Sequence, residues 1–102
     1  MINYRFETEA DGRTLILGLE GEFDTAGAQV VQDQLEPAVG PEVCRIVFDL
    51  SGVTLMASSG LRVIFFARDK IRQGMKVELR GARDLVAKVI RMSGIGQFVD
   101  VV

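Results

Sequence analysis

Apolar and polar residues alternate at the start of the chain. Ile2, Tyr4 and Phe6 alternate with polar neighbours, which predicts a half-buried β-strand over residues 2–9. The pair Asp11-Gly12 is a hairpin turn signal. The apolar stretch 14–20 is therefore predicted to be the antiparallel partner strand.

Helical spacing replaces this alternation after residue 24. Asp24 has the side chain of an N-cap residue. Apolar residues then recur every three or four positions and predict a helix: Ala28, Val31, Leu35 and Ala38. Pro37, Gly40 and Pro41 close this helix.

The second half of the chain repeats strand and helix signals. The run 45–50 is short, apolar and β-branched, which is typical of a strand covered on both faces. A helical pattern follows from Ser58 to Gln73, and Gly74 ends it. Its first stripe is expected to pack its apolar members on the sheet: Leu61, Ile64, Phe65, Arg68 and Ile71.

The last third predicts one more strand, over 76–80, and one more helix. That helix has one apolar face and ends at Ser93-Gly94; the face consists of Leu85, Val86, Val89 and Ile90. The tail 98–102 adds a short edge strand or simply packs. The order β-β-α-β-α-β-α predicts a single α/β domain over residues 1–102, with a mixed four- to five-stranded sheet and flanking helices.

Composition narrows the classes of function. Of the 102 residues, 48% are hydrophobic, which is enough for a core. The sequence has no run of 18 apolar residues, so no membrane-spanning segment is predicted. The first residues lack the basic-then-apolar order of a signal peptide, so a cytoplasmic protein is expected. The net charge of −2, with scattered Lys and Arg, argues against direct nucleic-acid binding.

Candidate catalytic and metal chemistry is scarce. The chain has no His and one Cys, Cys44, which argues against a metal site and removes the usual base of a nucleophilic serine. Phosphate-binding loops are missing as well. We therefore predict no catalytic residues, no metal and no cofactor.

Ser58 and Ser59 stand where the strand 45–50 leads into the second helix. One reading makes one of them the N-cap of that helix. The other makes the turn a phosphorylation site, because a helix N-terminus tolerates the added negative charge without unfolding. Gly60 is expected to leave the hydroxyls uncrowded.

Three spaced segments carry a family resemblance. The stretches FDLSGVTLMASSGLRVI, LEGEFD and VAKVIRMSGIGQFV resemble the STAS domain, which sulphate transporter tails share with anti-sigma factor antagonists. The single-domain bacterial anti-anti-sigma factors are the most similar in length. The resemblance covers essentially the whole chain.

This resemblance implies partner switching. Unphosphorylated, such a protein binds an anti-sigma factor that is also a serine kinase of the histidine-kinase ATPase type, which frees the sigma factor. Phosphorylation separates the complex and a serine phosphatase resets it, so the protein is a ligand and a substrate rather than an enzyme. The family pattern, Asp-Ser-Ser-Gly or Asp-Ser-Thr-Gly, maps the phosphate onto Ser58, with Ser59 as second choice.

One residue departs from the pattern, since Ala57 stands where the aspartate is common. This bears on the efficiency of phosphorylation, because a nearby carboxylate orients a serine hydroxyl; Asp24 and Asp49 remain as acids expected near the turn. The departure also favours an alternative function. In it the chain is a STAS accessory subunit of a membrane transporter, such as a lipid-type ABC system, and binds its ATPase.

The predicted partner surface surrounds the turn. A second stripe of the helix, formed by Arg62, Phe66, Asp69 and Gln73, lies next to Ser58. Phe66 is either an exposed interface anchor beside Arg62 or a core residue under a neighbouring helix. The predicted partner-binding residues are Asp24, Ser58, Ser59, Gly60, Arg62, Phe66 and Asp69.

Overall fold

The computed structural model describes all residues, 1–102. Five strands and three helices form one α/β unit. In chain order the elements are β1 (Ile2–Thr8), β2 (Thr14–Phe23), α1 (Thr25–Ala38), β3 (Arg45–Met56), α2 (Ser58–Asp69), β4 (Lys76–Arg80), α3 (Asp84–Ser93) and β5 (Asp100–Val101). A single 3-10 turn, Ile95–Gln97, precedes β5. The predicted element order is confirmed, and the tail does add an edge strand.

The sheet is mixed, with strand order β1-β2-β3-β4-β5. β1 and β2 form the predicted antiparallel hairpin, in which Gly12 adopts a left-handed φ of 73°. All later neighbours are parallel, as helical crossovers require. β2 and β3 extend beyond their predicted ends because register shifts near Gly18 and Gly21 keep the two strands paired as far as Phe23 and Met56.

All three helices cover the same face of the sheet. Alternate strand residues enter one core with buried residues of α1, α2 and α3; the strand members include Leu15, Leu17, Leu19, Ile46, Phe48, Leu50, Val77 and Leu79. The intervening residues point to the other face, which bears charged side chains such as Asp49 and Glu78. The expectation that β3 is covered on both faces by other elements is therefore wrong.

Side chains of the strands themselves shield this helix-free face. Val47 is fully buried because it lies between Ile16 of β2 and Glu78 of β4. Glu78 accepts hydrogen bonds from Arg45 and Arg80. Burial alone would raise the pKa of Glu78, but these guanidinium groups outweigh it and hold the pKa below its ordinary value.

Asp49 lies on the same helix-free face. Its carboxylate accepts hydrogen bonds from the hydroxyl and the backbone N–H of Ser51, at 2.7 and 3.1 Å, and these bonds lower the pKa of Asp49. Asp49 therefore faces away from the helices. The expectation that it is an acid near Ser58 is wrong.

Helix α2 ends at Asp69, four residues before the predicted end at Gln73. Beyond the helix end, the Arg72 guanidinium reaches the loop before β3, where it donates to the carbonyls of Gly40 and Val43. The fully buried residues of α2 are Gly60, Val63, Ile64 and Ala67. Ile64 belongs to the predicted stripe, and the other apolar members of that stripe, Leu61, Phe65 and Ile71, pack half-buried against the core, as expected.

Helix α3 begins and ends close to its predicted bounds, and Gly94 closes it with a left-handed φ of 75°. Val86 and Ile90 are buried as predicted. Leu85 is 70% exposed, so its assignment to the packed face is wrong. It lies on the flank of the helix and leaves an apolar surface in solvent.

Candidate functional site

Two helices begin side by side at the ends of paired strands. Phe23, the last residue of β2, pairs with Met56, the last residue of β3. The backbone N–H of Ala57 also donates to the carbonyl of Phe23, at 3.0 Å. Asp24 and Ala57 are therefore neighbours, and each is the N-cap residue of the helix that follows.

Asp24 caps α1, as predicted. Its Oδ1 accepts a hydrogen bond from the backbone N–H of Gly27 at 2.8 Å. Its backbone is extended, with φ −96° and ψ −167°, which is typical of an N-cap. The acid therefore satisfies one of the N–H groups that a helix leaves free at its start.

The N-cap of α2 is Ala57, and its side chain accepts no hydrogen bond. The reading that made one of the two serines the N-cap is wrong. Because β3 continues to Met56, the helix begins at Ser58 itself and Ser59 is its second residue. The start of α2 thus lacks the side-chain acceptor that α1 has.

The two serines differ in exposure and in partners. Ser58 is exposed, and its hydroxyl forms no hydrogen bond within the chain, unlike those of Ser51, Ser59 and Ser93. Ser59 is half-buried, and its hydroxyl donates to Thr25 Oγ1 of α1 at 3.3 Å. Ser58 is consequently the hydroxyl that an outside reagent reaches first.

Thr25 is a site residue that sequence reasoning missed. Its signal is an internal likeness: the segment Asp-Thr-Ala-Gly at 24–27 has the hydroxyl and glycine positions of Ala-Ser-Ser-Gly at 57–60. Both segments start a helix, with the hydroxyl residue first and the glycine third. The two starts are structural equivalents.

The glycines allow close packing of the helix starts. A Cβ on Gly60 would lie 3.0 Å from the ring of Phe23, and one on Gly27 would lie 2.6 Å from the carbonyl oxygen of Glu22. Gly60 is buried, so its predicted part in partner contact is not seen. Its lack of a side chain serves packing against Phe23 rather than access to the serines.

An apolar groove of about 540 Å³ opens next to Ser58, between the end of β3, the start of α2 and one flank of α3. Its apolar lining is Leu55, Met56, Leu61, Leu85, Val89 and Met92. Leu85 and Met92 are 70% and 75% exposed. These side chains leave an exposed apolar cluster beside Ser58. Lys88 also lines the groove, and sequence reasoning had singled out neither it nor Met92.

The predicted partner residues on α2 differ in their exposure to solvent. Arg62 is exposed, and Asp69 is exposed beside Arg68, whose guanidinium lies 2.6 Å from its carboxylate. Phe66 is half-buried and packs against the core, between its two predicted roles. Gln73 lies beyond the end of α2, so the predicted four-residue stripe is not continuous.

No group of three or more His, Cys, Asp or Glu side chains is arranged to hold a metal ion. None of the helices is long and apolar enough to cross a membrane.

Comparison with known proteins agrees with this architecture. The model of the STAS domain family matches residues 5–102. The anti-sigma-F factor antagonist RsfB of Mycobacterium tuberculosis is 25% identical over 80 residues, which are 78% of this chain and 66% of RsfB, just under two thirds of that protein's length.

Solved structures share the fold at low identity. An anti-sigma factor antagonist from Mycobacterium paratuberculosis superposes with a TM-score of 0.85 at 20% identity, over 99% of this chain and 85% of that one. The antagonist SpoIIAA in its unphosphorylated form gives 0.81 at 20% identity, over 98% and 88%. SpoIIAA from Bacillus in its phosphorylated form gives 0.67 at 19%, over 98% and 91%. Because the family model matches nearly the whole chain, the chain belongs to the STAS domain family.

Proposed function

We propose that this chain is an anti-sigma factor antagonist that works by partner switching in the cytoplasm. Unphosphorylated, it binds an anti-sigma factor that is also a serine kinase of the histidine-kinase ATPase type. Phosphorylation of Ser58 releases that partner, and a serine phosphatase restores binding. The chain is a ligand and a substrate in this scheme, not a catalyst.

The observation that carries this proposal is the setting of Ser58. It is exposed, its hydroxyl forms no hydrogen bond within the chain, and it lies on the first turn of a helix whose Gly60 packs against Phe23. It also borders the apolar groove. The names of the relatives RsfB and SpoIIAA support the choice of partner, and SpoIIAA exists in a phosphorylated form.

The chemistry is a phosphoryl transfer from ATP. The Ser58 Oγ attacks the γ-phosphorus of ATP bound to the kinase, the bond to the β-phosphate oxygen breaks, and ADP leaves. The hydroxyl proton passes to a base supplied by the kinase, because no side chain of this chain hydrogen-bonds Ser58. Asp24, at the neighbouring helix start, is proposed as the acid that orients the hydroxyl.

Partner contact is proposed around this turn. The exposed members on α2 are Ser58, Arg62 and Asp69. The two helix starts contribute Asp24 and Ser59. Phe66 contributes only the part of its ring that is not packed on the core. A phosphate on Ser58 separates the partners by charge and bulk at the edge of this surface, without refolding.

The test pairs the purified chain with each anti-sigma factor kinase encoded in the same genome. Calorimetry without ATP measures binding, and peptide mass spectrometry after ATP addition locates the phosphate. We expect binding to one kinase, a single phosphate on Ser58 and loss of affinity after modification. Ser58→Ala should bind without being modified, whereas Ser59→Ala, the matched control, should still accept the phosphate.

Two results would contradict the proposal. One is a phosphate confined to Ser59, and the other is the absence of phosphate despite a proven kinase partner. Binding to a transporter ATPase, with no affinity for any anti-sigma factor, would instead favour the accessory-subunit alternative.

A further inference from the structure

The groove beside Ser58 contains one charged side chain. Among its lining residues only Lys88, from α3, carries a charge. Lys88 is exposed and forms no ion pair. Its ammonium group is therefore an unpaired cation at the edge of an apolar surface that also includes Ser58.

We propose that Lys88 is a charge switch for this groove. While Ser58 is unmodified, Lys88 pairs with a carboxylate of the bound anti-sigma factor. After phosphorylation it pairs with the phosphate on Ser58 and is withdrawn from the partner. This inference rests on the proposed function, and it adds the chemistry of the partner segment and the residue that couples phosphorylation to release.

Charge complementarity identifies the occupant of the groove. The lining is apolar apart from Ser58, Lys88 and two further hydroxyl residues, Thr54 and Ser93. It therefore fits a segment of the anti-sigma factor that inserts an apolar side chain and presents one carboxylate to Lys88. An apolar side chain seated in the groove would displace water from it, so the pairing of opposite charges would be stronger there than on an open surface.

Phosphorylation changes which anion Lys88 meets. A phosphoserine carries about −1.5 to −2 charges near neutral pH, against −1 for a carboxylate. It is also fixed in the same groove, whereas the partner's carboxylate has to be brought by association. The phosphate therefore outcompetes the carboxylate for Lys88, and the exchange forms or breaks no covalent bond.

The first experiment needs no kinase. Phosphoserine is encoded at position 58 during translation, and the second pKa of the phosphate is measured by phosphorus NMR. We expect that pKa to be lower, by roughly half a unit or more, with Lys88 present than in Lys88→Met. Arg91→Met removes the same charge from the same helix outside the groove and should leave the pKa unchanged. Equal values with Lys88 and in Lys88→Met would overturn the switch.

The second experiment uses the unphosphorylated chain and the anti-sigma factor that it binds. Lys88→Met should weaken that binding about fivefold or more, mainly through faster dissociation, while Arg91→Met should not. Unchanged affinity in Lys88→Met would overturn the assignment of the groove. So would a homodimer that dissociates in Lys88→Met, because it would make a second copy of the chain the occupant.

The two proposals fail in different ways. If no anti-sigma factor binds, the proposed function fails, yet the phosphate titration still reports on Lys88. If an anti-sigma factor binds and Ser58 is modified, but Lys88→Met changes neither the titration nor the affinity, only the charge switch fails.

Discussion

The starts of α1 and α2 lie side by side and have almost the same backbone, but only one is capped. The N-cap residues Asp24 and Ala57 have φ values of −96° and −92°, and a glycine occupies the third position of both helices. At α1 the acid accepts the glycine N–H, whereas at α2 the Gly60 N–H reaches only the backbone carbonyl of Ala57, at 3.0 Å. The first backbone hydrogen bond differs as well, since the Asp24 carbonyl accepts from Ala28 and the Ala57 carbonyl from Gly60.

The uncapped start is the one that bears the exposed serine. A side-chain acceptor at Ala57 would compete for the Gly60 N–H, which at α2 is bonded only to a backbone carbonyl. The start of α1 is thus stabilised by a side-chain cap that the start of α2 lacks. Four changes break or sharpen this comparison, and the largest effect comes from the packing that both starts share.

Gly27→Ala should lower the free energy of unfolding by roughly 1–3 kcal/mol, because its Cβ has no room. The new atom would lie 2.6 Å from a backbone carbonyl oxygen, which cannot turn aside as a side chain can. Gly60→Ala, whose Cβ would lie 3.0 Å from the Phe23 ring, should cost less. Urea denaturation of both variants measures this, and a Gly27→Ala variant as stable as the natural chain would mean that the two starts are not tightly packed.

Asp24→Ala should destabilise the fold by about 1 kcal/mol, since it removes the cap of α1. Asp24→Asn keeps an oxygen acceptor without the charge. Its free energy of unfolding should stay within about a few tenths of a kcal/mol of that of the natural chain, because Asn and Asp are equivalent caps. Thermal denaturation of the pair separates the hydrogen bond from the charge. Equal losses in the two variants would show that charge, not capping, is what Asp24 contributes.

Ala57→Asn should stabilise the fold by about 1 kcal/mol, because it gives α2 the cap that α1 already has. The extended backbone of Ala57 suits this role. Ala57→Asp should gain less at low salt, since the new carboxylate would stand beside Asp24, and the gap should close as salt is added. Denaturation midpoints at two salt concentrations give both values. A loss of stability in Ala57→Asn would disprove the equivalence of the two starts.

Phosphoserine encoded at position 58 should raise stability by roughly 0.3–1 kcal/mol, the smallest of the four effects, because its charge faces the open N-terminus of α2. Phosphoserine at position 59 should destabilise, since that side chain is half-buried and bonded to Thr25. Denaturation in rising salt should reduce the first effect. A lower stability with phosphoserine at position 58 would contradict the prediction that the N-terminus of α2 accommodates the negative charge.

Most of the fold was predictable because its signals are local. Alternation gave β1, Asp11-Gly12 gave the hairpin, and Gly94 ended α3 where its left-handed φ allows. Asp24 as N-cap was predictable for the same reason: its hydrogen-bond partner is three residues away. Such features depend on a few neighbours in the chain.

The errors share a dependence on distant residues. The segment just past the end of α2 is held by Arg72, which donates to carbonyls about 30 positions earlier in the chain. The N-cap falls on Ala57 because β3 stays paired with β2 to Met56. The apolar run 45–50 predicts a strand, but it does not determine what covers the second face of that strand. In the structure, arginine and glutamate side chains cover it rather than helices.

The groove escaped prediction for a related reason. Periodicity places Leu85 with Val86 on one helical face, but it does not say how wide the buried part of that face is. Only the position of α3 beside the start of α2 turns Leu85 and Met92 into the wall of a groove next to Ser58. The choice of Ser58 over Ser59 as the phosphorylated residue stays a prediction.

The carboxylates of the helix-free face also determine how the protein responds to protons. The folded-state pKa values of Asp49 and Glu78 are lowered, so their contribution to stability is complete above their ordinary values of 3.8 and 4.5 and is lost as pH falls through the lowered ones. Histidine, the side chain whose ordinary pKa of about 6.5 gives proteins a neutral-range response, is absent. A phosphate on Ser58, with a second pKa of about 6, would bring that response into the chain. Modification would then change not only the charge of the surface but also its sensitivity to cellular pH.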